Sequence, residues 1–207
     1  MRHLFTLLSL MLCLAVSGQR ECASHEYSVA LRAAHPGAAA GIEAAEAFQA
    51  RRAELLSQLS ATGRTLQGGT VRIPVVVHIL YSNNAQNISD VQVKSQIDAL
   101  NRDFRRRNED SLNTPARFRN LAIDVNIEFV LATVTPEGYA TNGIVRKQSG
   151  VTYWEQNDAI KLASRGGDNA WDSRYYLNIW VGPMRRLLGY SSLPGGPAEL
   201  DGLVINT

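Results

Sequence analysis

Apolar and polar positions divide the chain into three stretches of different character. Leu4 to Val16 is an almost unbroken apolar run behind the basic start Met1-Arg2-His3, which is the layout of a secretory signal. It is shorter than the roughly 20 apolar residues a membrane span needs, so it is expected to be cleaved, after Ser17 or Gly18. Residues 21 to 69 are rich in Ala, Glu, Arg and Gln and show no strand-like alternation. One helix is expected there, near Gly41 to Ala61, and the exposed stretch Gly63-Arg64-Thr65-Leu66-Gln67-Gly68-Gly69 would end it and form a boundary. From Val71 onward the pattern becomes that of a folded core. Val71 to Tyr81 (VRIPVVVHILY) is dense in β-branched residues, as in a strand buried on both faces. Ser89 with Gln92 forms a candidate capping box, and Val93, Ile97, Leu100 and Phe104 then recur at helical spacing, predicting an amphipathic helix to about Arg107. Val125 to Ala132 predicts a second strand, completing a right-handed βαβ unit. A second helix is predicted around Tyr153 to Ala163, followed by strands at Tyr176 to Val181, Leu188 to Leu193 and Gly202 to Asn206.

These elements predict an α/β (α+β) fold with a mixed five-stranded twisted sheet and two helices. The expected organisation is a signal peptide over 1–18, a pro-segment over 19–69 and a core over 70–207.

Composition changes this picture little. The 207 residues carry 21 Lys and Arg against 19 Asp and Glu, a formal charge of +2, which gives no reason to expect a nucleic-acid or acidic-membrane partner. The cysteines say more. Of the two, Cys13 lies in the signal, and the bulky Leu12 before it does not suit a lipid-attachment site. Loss of the signal leaves Cys22 as a lone thiol in an exported chain, which excludes an internal disulfide.

Six blocks carry a family resemblance. IPVVVHILY, VKSQIDALNRDFRRRN, IEFVLATVTPEGYATNGIVR, GGDNAWDSRYYLNIWV, LLGYSSLPGG and DGLVINT, spanning about Ile73 to Thr207, resemble the upper, N-terminal subdomain of pappalysin-like (cytophagalysin) metalloproteases, a branch of the metzincins. The resemblance implies a zinc metalloendopeptidase made as a zymogen. Its metal motif, HExxHxxGxxH, places two histidines one helical turn apart to chelate zinc, with a glutamate between them to polarise water. That motif is absent. The four histidines are His3, His25, His35 and His78, and His25-Glu26 has no second histidine in register. The chain is therefore expected to be an inactive N-terminal fragment. Zinc would be bound by residues beyond Thr207, and calcium is a second candidate cofactor. The end at Asn206-Thr207, directly after an apolar run, favours a fragment over a true short form.

The same resemblance assigns candidate site residues. Cys22 in RECASHEY is similar to the family's Arg-x-Cys-Gly-Thr pro-segment motif, with Ala23 and Ser24 in place of Gly and Thr. It would ligate zinc in the latent form; the plainer reading is an incidental thiol. Arg64 is the candidate activation cleavage site, with Arg51, Arg52 and Arg72 as competitors. Leu188, Gly189, Tyr190, Ser191, Ser192 and Leu193 would form the edge strand on which a peptide substrate adds antiparallel, or else only a structural edge. His78 reads as a satisfied core histidine, and Arg102, Arg105, Arg106 and Arg107 as a solvated helix end at the negative pole of the helix dipole. The expected partners are protein or peptide substrates, with no nucleic acid and no stable membrane anchor, and the expected location is extracellular. The alternatives are a secreted, non-catalytic peptide-binding module derived from the same fold, or an unrelated exported α/β protein.

Overall fold

In the computed structural model, which describes residues 21–61 and 69–207, strand β2 (Val71–Tyr81) is the axis of a seven-stranded sheet. Along one edge of β2 lie two parallel strands in succession, β3 (Ile127–Leu131) against its first half and β4 (Ile144–Gln148) against its second. Along the other edge lies β5 (Leu177–Gly182), also parallel, and beyond it β7 (Leu203–Asn206). Strand β6 (Leu187–Ser191) then pairs antiparallel with β7. Outside β6 sits β1 (Glu21–Cys22), a two-residue strand from the N-terminal segment that runs parallel to it.

From Val75 to Leu80, β2 is buried on both faces, which is why it reads as a continuous apolar run. Val75, Val77 and Ile79 of β2, with Ile179 and Val181 of β5, point to the face covered by helix α3 (Asp90–Phe104), which contributes Val93 and Ile97. Leu80, Trp180, Tyr190 and Val204 point to the opposite face, where they meet Trp154, Ile160, Met184 and Leu200. Full burial of each large apolar side chain contributes roughly 1.5–3 kcal/mol, and the two-residue alternation shares that gain between the faces.

The Ser89 cap is present. Its Oγ accepts from the Gln92 amide at 3.2 Å, and α3 runs to Phe104, with Arg105 as its C-cap. Two strands, β1 and β4, join the five expected from sequence. The stretch Tyr153 to Ala163 differs from expectation: it holds a bridge from Trp154 to Met184 and the short 3-10 turns Ala159–Lys161 and Ala163–Arg165, with no α-helix. Asp158 adopts φ 56° there and the Asn157 side chain accepts from the Ala159 amide, so local side-chain bonding wins over helical spacing.

The N-terminal segment forms two helices, α1 (Ser24–Ala34) and α2 (Pro36–Ala61). Helix α1 buries Tyr27, Ser28 and Leu31, and α2 buries Ala38 and Ile42 before residues 46–58 stand in solvent, with Phe48, Leu55 and Leu56 exposed. Ala23, Tyr27 and Leu31 belong to the same apolar cluster as Trp180 and Tyr190. Where α2 crosses the core, Gly41 meets Gly195 so closely that a Cβ on Gly41 would lie 2.1 Å from the Gly195 carbonyl oxygen. Gly195 has φ +98°, so the Pro194-Gly195-Gly196-Pro197 turn suits glycine on both counts.

Candidate functional site

The exposed long edge of the main sheet is β6, and in this chain it is not free. The Glu21 amide donates to the Arg186 carbonyl (3.3 Å) and the Ala23 amide to the Gly189 carbonyl (3.0 Å). The Ser191 amide donates to Ser24 Oγ at 3.1 Å. These bonds use the outward-facing backbone groups that a docked peptide would use. The direction matters: β1 runs parallel to β6, opposite to the antiparallel approach expected of a substrate strand.

This pairing brings two of the sequence-predicted site groups together. Cys22 lies opposite Gly189, exposed, with its Sγ 3.6 Å from Ser24 Oγ. The Ser24 backbone amide and then its hydroxyl stabilise the thiolate and hold the Cys22 thiol below its usual range. Ser24 thus serves both the thiol and the strand pairing. Nothing in its sequence setting marks it out.

The predicted edge segment Leu188 to Leu193 splits by role. Leu188 is half exposed on the strand, Gly189 and Ser191 carry the backbone contacts, and Tyr190 turns its ring into the core. Gly189 approaches β7 so closely that a Cβ would sit 2.3 Å from the Val204 carbonyl oxygen. Ser192 and Leu193 lie past the strand end. The Ser192 hydroxyl donates to Asp201 Oδ1 (2.8 Å) and accepts from the Gly202 amide, tying the edge to the start of β7. Arg64 lies outside the described residues.

Among the described residues no group of three or more His, Cys, Asp or Glu side chains comes together to hold a metal ion. Cys22 is a single soft donor there. His78 is fully buried, its Nδ1 2.7 Å from Asp168 Oδ2, its Nε2 3.1 Å from Asn178 Oδ1, and its ring stacked 5.2 Å from Trp180. Arg105 is not merely a solvated helix end: it bridges Asp124 at 2.9 Å and Glu128 at 2.7 Å, and Arg106 bonds the Ala122 carbonyl.

On the α3 side, the sheet is only partly covered at Leu177, Leu203 and Ile205. An apolar cavity of about 750 Å³ lies between α3 and the strands, walled by Ile97, Phe104, Leu177, Ile179, Leu203 and Ile205. Helix α3 covers β2 and β3 and helps bury Ile179 and Val181 of β5, whereas Leu177, Leu203 and Ile205 stay partly exposed.

No family model matches the chain, and no curated protein matches it. Solved structures do. A mirolysin structure in complex with a molecule named compound 9 matches with TM-score 0.62 and 47% identity over 67% of this chain and 53% of its own. Mature mirolysin of Tannerella forsythia in complex with a cleaved peptide matches with TM-score 0.62 and 46% identity over the same shares. A mutant of T. forsythia promirolysin matches with TM-score 0.64 and 42% identity, over 80% of this chain and 57% of its own. The chain therefore spans little more than half the length of the structures it matches. Over that span it resembles a metallopeptidase of metzincin type, and its mixed α/β sheet matches the promirolysin fold.

Proposed function

We propose that this chain is the N-terminal part of a secreted, pappalysin-like zinc metalloendopeptidase precursor, in which residues 19–69 act as the pro-segment and residues from 70 onward as the upper subdomain. The observation that carries the reading is the pairing of β1 with β6. The N-terminal segment lies on the edge strand that would align a substrate, and it presents Cys22 there. Two further observations support it. The promirolysin match covers 80% of this chain where the mature mirolysin match covers 67%. The apolar cavity over β5 and β7 is the kind of surface a further helix would cover.

The described residues do not make a zinc site by themselves, since no three His, Cys, Asp or Glu side chains among them come together. Zinc would be held by residues outside this chain, with calcium as a second candidate; when bound, zinc supplies the polarised water for peptide hydrolysis. This chain's own contribution is positional. The Gly189 carbonyl and Ser191 amide are the groups that would bind a backbone; at present they hold the Ala23 amide and the Ser24 hydroxyl. A peptide substrate would add antiparallel at the same groups after cleavage at Arg64 and departure of the segment. Cys22 would be the latent-form donor.

The gene tests this. An in-frame HExxHxxGxxH downstream of the Thr207 codon is the expected result. A stop codon directly after Thr207, with no zinc taken up by the purified protein, would overturn the enzyme reading and leave a peptide-binding module.

A further inference from the structure

On the sheet face opposite α3, one cluster of polar groups is buried deeper than packing alone explains. Lys161 is fully buried, and its ammonium donates to three acceptors at once: the Leu200 carbonyl at 2.7 Å, Asp158 Oδ1 at 3.0 Å and the Tyr27 hydroxyl at 3.1 Å. The Tyr27 hydroxyl in turn donates to Asp158 Oδ1 at 3.0 Å. The Tyr27 ring sits 4.7 Å from the Lys161 Nζ and 4.7 Å from the Tyr190 ring centroid, and Trp180 and Tyr190 complete an aromatic surround of the ammonium. The Tyr190 hydroxyl is buried with no hydrogen-bond partner among the described residues. A buried charge is tolerated only where it is paired and bonded, and here all three ammonium protons are placed.

Every wall of this site except Tyr27 comes from the core. Asp158 and Lys161 are three residues apart on one tight turn and bond each other directly, so the Tyr27 ring fills a space whose polar groups are held without it. One wall group donates and the other accepts, which matches a phenol hydroxyl and mismatches a phenyl ring. A site built to bond a hydroxyl rejects the ligand that lacks it, because its own polar groups are then left unpaired.

We infer that Asp158, Lys161 and Tyr190 form a binding socket for a phenolic side chain, filled in this chain by Tyr27 and open to a tyrosine of another polypeptide once the N-terminal segment has left. The socket lies on the sheet face away from α3, beside β6 rather than on its outer edge. It would therefore engage a tyrosine in addition to whatever lies along the strand. The inference rests on the proposed release of the N-terminal segment.

The full chain tests it directly. Tyr27→Ala opens the socket in place. p-Cresol is expected to bind the variant at least tenfold more tightly than toluene and to raise its melting temperature saturably, and replacing both wall groups, Asp158→Leu with Lys161→Met, in the same chain should erase that preference. Equal binding of the two compounds, or binding of neither, overturns the socket. If Tyr27→Ala does not fold, the wild-type chain with an engineered cleavage sequence between residues 62 and 68 replaces it. A synthetic peptide of residues 21–42 should then compete with the nicked segment at least tenfold better than its Tyr27→Phe counterpart. Equal competition, or none by the native peptide, overturns the socket. None of these readouts involves zinc or hydrolysis, so their failure leaves the protease reading standing, and a stop codon after Thr207 leaves them interpretable.

Discussion

Tyr27→Phe removes one oxygen atom from the contact that couples the N-terminal segment to the core. The lost hydroxyl accepts from Lys161 at 3.1 Å and donates to Asp158 at 3.0 Å. Buried hydrogen bonds to charged groups contribute about 1.5–3 kcal/mol each. The two losses do not add, because Lys161 and Asp158 remain bonded to each other at 3.0 Å, and Asp158 keeps 17% exposure, so water recovers part of its bonding. The expected cost is therefore about 2 kcal/mol, near the value for one such bond. For a chain of this size that is a fall of roughly 4–8 °C in melting temperature. Urea unfolding followed by tryptophan emission is the suitable assay, since Trp180 lies 5.6 Å from the Lys161 Nζ. Coupling between Tyr27→Phe and Lys161→Met in a double-mutant cycle should account for at least half of the loss. A loss below about 0.5 kcal/mol, or full additivity, would refute the contribution assigned to the hydroxyl.

Four other expectations follow from the same geometry. Gly195→Ala forces a Cβ to within 2.4 Å of the Gly41 carbonyl at φ +98°, so it should cost at least about 1–2 kcal/mol and speed limited proteolysis within α2, whereas Gly37→Ala, which meets nothing within 4 Å, should do neither. In a Cys13→Ser background, iodoacetamide should alkylate Cys22 with a pH midpoint below that of the urea-unfolded chain, and Ser24→Ala should move it part of the way back; a midpoint at or above the unfolded one contradicts the bonding assigned to Ser24. Burial holds the Lys161 ammonium below its usual range, so the unfolded chain binds more protons and stability should rise with pH up to about 10.4, a rise that Lys161→Met should abolish. Burial and the Asp158 charge push the Tyr27 and Tyr190 phenols up, so their contribution is complete below about pH 10 and lost above it as the unfolded phenols ionise, and denaturant titrations across pH 7–11 would show both limbs.

The elements legible in the sequence are those whose side chains alternate between two environments or are buried throughout. β2, β5, β7 and α3 were readable because Val75 to Leu80, Ile179 to Val181 and the Val93–Ile97 spacing report burial directly. β4 was not. Ile144-Val145-Arg146-Lys147-Gln148 is half polar, and its strand character comes from the β2 register that pairs Val77 with Ile144. β1 is two residues long and exists only because β6 offers backbone partners. The Tyr153 to Ala163 stretch has helical spacing, yet Asn157 and Asp158 turn the chain and send Ile160 and Lys161 inward. At the candidate site, Cys22 and the Leu188–Leu193 segment stood out as a lone thiol and a family-like block. Ser24, Tyr27 and Lys161 carry no local pattern, because their roles depend on contacts with residues more than 130 positions away.

Amide hydrogen exchange on the intact chain measures the occupied edge most directly. The Ala23 amide, bonded to the Gly189 carbonyl, and the Ser191 amide, bonded to Ser24 Oγ, should both be protected, and Ser24→Ala should release Ser191 selectively. Exchange of both amides at unfolded-chain rates in the intact protein would contradict the pairing of the N-terminal segment with β6.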